Sequence, residues 1–241
     1  LPMMDGNWQR LLQLWGLMSL AAGSFWLWVA RHEHRHRSES EFGREIFANL
    51  KSLLRIPAVQ LISVMSIAVF GINHGMGNWL VEILKQLGLT AEQASLWAAV
   101  PVGVGILSAL TLPRLATGRR RFQILIVLFS ASVVASTLLL FQPTGLILLM
   151  TLVFEGIAAG SMMTVLLLTL VGVPEVGEGR SGTASGFFFA AAEIGGVGGP
   201  VLLGSLFALN GNFDLSLAAL AFLGVFLIAA VFPLRRWLKP A

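Results

Sequence analysis

Long apolar runs separated by short polar segments dominate the chain. The runs are each of roughly 20 residues, the length that an α-helix needs to span a bilayer. They predict membrane-spanning helices at Leu11–Ala30, Leu61–Leu84, Ala94–Leu112, Phe122–Phe141, Gly145–Val171, Gly186–Leu209 and Leu215–Phe232. The connections are short except after the first run. The pattern predicts an all-α fold, a polytopic membrane bundle of seven transmembrane helices.

Composition supports a membrane protein and excludes an ordinary soluble domain. Charged residues make up 12% of the chain and hydrophobic residues 56%, whereas soluble domains carry about 25% charged residues. The chain has no cysteine, which excludes disulfides and thiolate metal sites. We expect no cofactor and no metal.

The basic residues lie on one side of the predicted membrane. All lysines and arginines except Arg10 and Lys85 fall in segments that alternate to the same side. By the positive-inside rule that side is cytoplasmic, so we expect a cytoplasmic C-terminus in a cell membrane, with a bacterial inner membrane fitting the lack of cysteine. The net charge of +4 then reflects cytoplasmic loops and not a nucleic-acid partner.

The first helix would begin outside, and the chain has no initiator methionine at position 1. An odd number of spans with this orientation leads us to expect that an upstream part of the protein is missing. A half-sized protein that dimerises and a nonfunctional fragment remain open alternatives.

Residues 31–57 form the one long polar connection. Apolar side chains recur on one helical face in its second part, at Phe42, Ile46, Phe47, Leu50, Leu53 and Leu54. This spacing predicts an amphipathic helix on the cytoplasmic surface. His32, His34 and His36 alternate among arginines that repel cations, so we interpret them as part of a solvated linker and not as a metal site.

The stretch from Arg180 to Gly204 combines apolar character with many glycines. Small residues four apart allow membrane helices to approach closely. One such row is Ala191, Gly195 and Gly199, and a second row beside it is Ala192, Gly196, Pro200 and Gly204. We predict a tightly packed interior helix.

Three ionisable side chains lie deep in the apolar runs: His74, Glu155 and Glu193. Such groups are costly in a membrane and usually mark a functional site. His74, with Asn78 four residues later, is a candidate for substrate binding or proton acceptance, or a neutral histidine bonded to a backbone carbonyl. Glu155 is a candidate proton-coupling residue, or a protonated carboxyl making one interhelical hydrogen bond. For Glu193, two interpretations are equally open: a role in the substrate or proton site, and a role in helix packing or gating.

Other small residues near these groups are candidate packing or gating positions. Gly71 and Gly75 flank His74, and Gly156 and Gly160 follow Glu155. They would let a neighbouring helix approach.

Two motifs resemble the major facilitator superfamily of transporters. Gly186, Gly195, Gly199, Pro200 and Gly204 are similar to its glycine-proline motif, although Leu203 stands where a glycine is usual. In the loop LPRLATGRRR, Gly118, Arg119, Arg120 and Arg121 are similar to the end of its cytoplasmic loop motif, while Leu115 and Ala116 replace its Asp-Arg. Basic membrane anchoring is the alternative explanation for these arginines.

The resemblance implies a C-terminal six-helix transporter half at residues 58–241. Residues 1–30 would be the last helix of a missing N-terminal half, and residues 31–57 the cytoplasmic linker. It implies a secondary active transporter that moves a small solute by alternating access, with protons and the bilayer as partners.

The segment GINHGMGNWLVEILKQLGLTAEQAS is faintly similar to the cyanate permease branch. The spans contain no buried Lys or Arg, which favours a neutral or cationic substrate or a proton.

Two other classes fit less well, and we do not expect an enzyme. Gly179 to Gly182 matches the Gly-x-Ser-Gly pattern of intramembrane proteases, but all four histidines precede Ser181, whereas such enzymes use a later histidine. A seven-span receptor would fit the topology, yet the last run has no lysine to hold retinal and the chain has no cysteine for an extracellular disulfide.

Overall fold

A computed structural model describes residues 8–30 and 48–238. All regular secondary structure in these residues is α-helical. Within these described residues, seven long helices are each apolar and long enough to cross a membrane. They are α1 (Trp8–Ala30), α2 (Pro57–Gln86), α3 (Ala91–Leu115), α4 (Arg120–Leu140), α5 (Gly145–Val171), α6 (Gly177–Asn210) and α7 (Asp214–Trp237). The predicted all-α membrane bundle is confirmed.

Most of the helices extend beyond the apolar runs that predicted them, whereas α5 coincides with its run at Gly145–Val171. The largest difference is α6, which begins at Gly177 instead of the expected Gly186. Its first turns contain charged and small polar residues. Hydropathy excludes these residues from a membrane span, but they can form a helix outside the apolar region. The 34 residues of α6 give a length of about 51 Å at 1.5 Å per residue. Because the hydrocarbon core is about 30 Å thick, part of α6 must project out of it.

The chain divides into two compact units, Leu1–Glu45 and Ile46–Ala241. The first contains α1, an apolar helix rich in leucine and tryptophan. In the second, α2 packs most extensively against α6, α3 against α5, and α4 against α5 and α7. Phe129 of α4 and Phe188 of α6 are among the largest fully buried side chains, so the core lies between the helices.

The described residues include only the second part of the predicted linker helix. Residues 48–53 are helical, and Leu53 is fully buried while Leu54 is exposed. Its earlier apolar positions and the three linker histidines lie outside the described residues. Arg180 of α6 donates from Nη1 to Ser52 Oγ at 3.0 Å and from Nη2 to the Glu175 carbonyl. The basic start of α6 is thereby joined to residues 48–53.

Glycines form a close contact between α2 and α6. A β-carbon placed on Gly195 would overlap the carbonyl oxygen of Ile67 and lie 2.9 Å from the backbone nitrogen of Gly71. One placed on Gly199 would overlap the Gly71 carbonyl oxygen. These neighbours are backbone atoms, which cannot rotate away. The row of small residues on α6 (Ala191, Gly195 and Gly199) therefore faces α2. It packs there against Gly71 and Gly75. We call this contact the α2–α6 seam.

Trp79 extends the α2–α6 seam. Its indole Nε1 donates to the carbonyl oxygen of Pro200 at 3.0 Å. A β-carbon on Gly204 would lie 2.8 Å from the indole ring, so glycine leaves room for the tryptophan. Phe207 and Phe213 stack with ring centroids 4.6 Å apart beside Trp79. Gly186, in contrast, has open space where a β-carbon would lie.

A second glycine contact joins α3 to α5. A β-carbon on Gly160 would overlap the carbonyl oxygen of Gly105, and one on Gly156 would lie 2.6 Å from that of Pro101. Further along, Ser108 Oγ donates to the Ile157 carbonyl at 2.8 Å and lies 2.6 Å from Ser161 Oγ. Since a hydroxyl has one proton, Ser161 is the donor to Ser108. We call this contact the α3–α5 seam.

The loop motif at residues 118–121 comprises the end of the turn between α3 and α4 and the first two residues of α4. Gly118 has φ +50, a left-handed conformation that glycine adopts at low cost. Arg121 Nε donates to the Gly118 carbonyl at 3.0 Å, and its guanidinium lies 5.8 Å from the centroid of the Phe122 ring. These contacts give Gly118 and Arg121 a structural role in the turn.

Candidate functional site

A cavity of about 410 Å³ lies between α2, α3 and α5. Its walls are mainly apolar, and the residues that line it are Asn73, Met76, Gly77, Leu80, Ala98, Pro101, Val102, Gly105, Ile106, Ala109, Glu155, Ala159 and Gly160. Among these, Asn73 and Glu155 alone have polar side chains. Ligand pockets typically have this combination of apolar walls and a few polar groups, at about 300–1,000 Å³.

Glu155 is brought to the cavity by the helical phase of α5. The side chain is 3% exposed, and its carboxyl oxygen Oε2 has no hydrogen-bond partner in the described residues. Thr151, one turn earlier, is also buried, but its hydroxyl donates to the Ile147 carbonyl at 2.8 Å. The neighbouring polar group is therefore occupied elsewhere, and Glu155 is left available to whatever enters the cavity.

Asn73 reaches the same cavity from α2. Its amide Nδ2 donates to the Ala159 carbonyl across the helix interface at 3.5 Å, a long hydrogen bond. A carbonyl can only accept, so this contact orients the amide group. Its Oδ1 is buried and has no hydrogen-bond partner in the described part of the chain. The cavity thus holds two buried oxygens with unused acceptor capacity, one from α2 and one from α5.

His74 and Asn78 lie on a different face of α2. Both are exposed. The His74 ring packs against Phe70 with centroids 5.1 Å apart, and Asn78 Nδ2 donates to the His74 carbonyl at 2.8 Å. Asn78 lines a shallow groove between α2 and α6, of about 610 Å³, that also includes Glu82. Neither residue lines the cavity of Glu155.

Glu193 is exposed on α6. The Phe70 ring lies 3.3 Å from the position of a β-carbon on Gly196, and the Glu193 carboxyl lies 3.0 Å from the same position. His74 and Glu193 therefore both lie near Phe70, on the surface formed by α2 and α6. The structure separates the three sequence-predicted ionisable residues into a buried site with Glu155 and an exposed face with the other two.

Asn73 was missed by the sequence reasoning, which selected its neighbour. Each residue turns a helix by about 100°, so Asn73 and His74 face different directions. A usable signal was present: Asn73, Met76 and Leu80 are spaced three and four apart, which places them on one face. Gly105, the partner of Gly160, was also missed because nothing local distinguishes it from other glycines.

Comparison with known proteins identifies the family to which the chain belongs. No curated protein sequence matches the chain significantly. The family model of the Major Facilitator Superfamily matches residues 3–200, which is most of the chain. Transporters of this superfamily are generally not enzymes. The chain belongs to the Major Facilitator Superfamily and is a multi-pass membrane transporter.

Proposed function

We propose that the protein is a secondary active transporter that moves a small solute by alternating access and is driven by protons. Glu155 is the residue assigned to the proton. The observation that carries the proposal is its buried carboxyl, which lines a mainly apolar cavity and whose Oε2 has no hydrogen-bond partner in the described residues.

The proton role follows from the cost of burying charge. An isolated carboxylate in an apolar environment is strongly disfavoured, and none of the described residues lining the cavity is a Lys, Arg or His that could compensate it. A closed cavity therefore favours protonated Glu155. Opening to water removes that cost and allows the proton to leave. Alternating exposure of Glu155 would thus carry one proton across the membrane in each cycle.

The two glycine seams support movement of helices in pairs. Helices α2 and α6 touch through backbone atoms, as do α3 and α5, and such contacts leave little freedom within a pair. The cavity lies between α2 on one side and α3 and α5 on the other. We propose that these pairs tilt relative to each other to open and close the cavity.

The domain assignment remains a proposal. Residues 58–241 would be the C-terminal transporter half, and residues 1–30 the last helix of the N-terminal half. The excess of basic residues on one side of the membrane supports a cytoplasmic C-terminus. A bacterial inner membrane fits the absence of cysteine.

The similarity of residues 71–95 to cyanate permeases is a weaker candidate for substrate assignment. Cyanate is an anion, and the described lining of the cavity offers it no cationic side chain. His74, Asn78 and Glu193 remain proposed substrate or gate contacts on the exposed α2–α6 face, apart from the cavity.

The test is transport by the full-length protein in proteoliposomes with an imposed pH gradient. Glu155→Gln should abolish gradient-driven uptake, because the amide cannot release a proton. Exchange of labelled for unlabelled solute should survive at saturating solute concentration, because the amide keeps a polar group. Glu92→Gln is the control, since Glu92 is an exposed carboxyl in the first turn of α3. Undiminished gradient-driven uptake by Glu155→Gln would exclude the proposed role.

A further inference from the structure

The geometry of the cavity points to a substrate class: we infer that the site binds a compact, mainly apolar molecule carrying a protonated amine, held between Asn73 of α2 and Glu155 of α5. The inference rests on the proposed transport function, which leaves the substrate open.

The two polar groups in the cavity both lack a hydrogen-bond partner for one buried oxygen among the described residues. Asn73 Oδ1 and Glu155 Oε2 are both buried, and neither has a hydrogen-bond partner in the described residues. Native proteins seldom leave buried polar atoms unsatisfied, and such atoms call for a partner. Asn73 Oδ1 accepts hydrogen bonds, and so does Glu155 Oε2 once the carboxyl has released its proton, so a ligand that satisfies both oxygens must bring donors.

The number of donors favours an amine over a hydroxyl. An alkylammonium group has up to three N–H donors and can serve the oxygens from both helices at once, whereas a hydroxyl has one. The ammonium charge also compensates a Glu155 carboxylate, and charge-assisted hydrogen bonds are the stronger kind. A neutral alcohol would leave a Glu155 carboxylate uncompensated.

The remaining walls restrict the rest of the ligand. Met76, Leu80, Val102 and Ile106 present apolar surface to the cavity, which favours a hydrocarbon body. Sugars and other polyols would bury several hydroxyl groups against this surface without partners, which is costly. An anion would meet a carboxyl and no described cationic side chain. The volume of about 410 Å³ limits the body to a small ring system or a short chain.

Three ligands with the same rigid hydrocarbon cage and different head groups test this inference. They are 1-adamantylamine, 1-adamantanol and 1-adamantanecarboxylate, titrated calorimetrically into the purified full-length protein, with empty detergent micelles as the blank. We expect saturable binding of the amine, at least about tenfold weaker binding of the alcohol, and no binding of the carboxylate. Equal or tighter binding of the carboxylate or the alcohol, or no binding of the amine, would overturn the inference.

Variants locate the binding. Glu155→Gln should weaken amine binding about 10- to 100-fold, because it removes a hydrogen bond between charged groups. Asn73→Leu should weaken it about three- to tenfold by removing a neutral acceptor, and Asn73→Ser replaces it if the leucine variant fails to fold. Glu92→Gln and Asn210→Leu are controls at exposed positions and should bind the amine normally. Unchanged amine affinity in Glu155→Gln would refute the assignment.

The two proposals fail separately. Gradient-driven uptake of another solute without amine binding would reject the amine substrate class and leave proton coupling through Glu155 intact. Amine binding that needs Glu155, together with undiminished gradient-driven transport by Glu155→Gln, would reject proton coupling through Glu155 and leave the amine substrate class intact.

Discussion

Replacing Gly195 by alanine should separate α2 from α6 by forcing one methyl group against backbone. The new β-carbon would overlap the Ile67 carbonyl oxygen and lie 2.7 Å from the Ile67 carbonyl carbon and 2.9 Å from the Gly71 nitrogen. Side chains can change rotamer to relieve a contact, but these atoms move only if a helix moves. Gly198 offers a matched control, since a β-carbon there has nothing within 4 Å and the residue lies on the same helix.

The expected magnitude combines two opposing effects. Alanine in a helix interior is favoured over glycine by about 1 kcal/mol, and both variants gain this. Adding a methyl group to a closely packed interior costs about 1–3 kcal/mol, and the backbone neighbours place Gly195→Ala at the upper end. We therefore expect Gly195→Ala to be destabilised by about 2 kcal/mol and Gly198→Ala to be stabilised by up to about 1 kcal/mol.

The assay is reversible unfolding in mixed micelles of increasing denaturing-detergent fraction, followed by circular dichroism for both variants and the parent. Differences between the two alanine variants isolate the contact, since helix propensity is common to both. A Gly195→Ala protein as stable as Gly198→Ala would refute the close approach of α2 and α6 at this point. Transport by surviving Gly195→Ala protein would show whether the seam also matters for the cycle.

Two further substitutions can be measured in the same way. Gly160→Ala should destabilise the α3–α5 seam by about 2 kcal/mol through overlap with the Gly105 carbonyl, whereas Gly103→Ala, which has open space, should not; equal stability of the two would contradict the seam. Thr90→Ala should cost about 1 kcal/mol by removing the capping box of α3. Thr144→Ala should cost less, because the Thr144 side chain makes no cap hydrogen bond to α5, and a reversed order would contradict this account.

The membrane-spanning helices could be predicted from the sequence because hydropathy is a local property. The apolar runs identify α2 to α7 without any knowledge of their neighbours. Helix ends were less predictable: the polar start of α6 is helical from Gly177 although its residues would not enter hydrocarbon.

The site was predicted in part, because burial depends on contacts between distant segments. Glu155 was selected as an ionisable residue within an apolar run, and the structure places it in a cavity. The same reasoning selected His74, but the packing of α2 against α5 and α6 turns Asn73 toward the cavity and leaves His74 exposed. The buried face of α2 is determined by the packing of Gly71 and Gly75 against Gly195 and Gly199 of α6. These partners lie more than 100 residues later in the chain.

The α3–α5 seam has a consequence for how specificity can evolve. Gly105 and Gly160 pack against each other and also line the cavity, so the same atoms hold the helices together and shape the space for the ligand. Enlarging Gly160 to narrow the cavity would push α3 from α5, because its β-carbon would overlap the Gly105 carbonyl oxygen. Val102 and Ile106 line the cavity and are at least partly exposed, so they can change size without meeting that contact. New substrate preferences should therefore arise at Val102 and Ile106, while Gly160 is fixed by its contact with the Gly105 backbone.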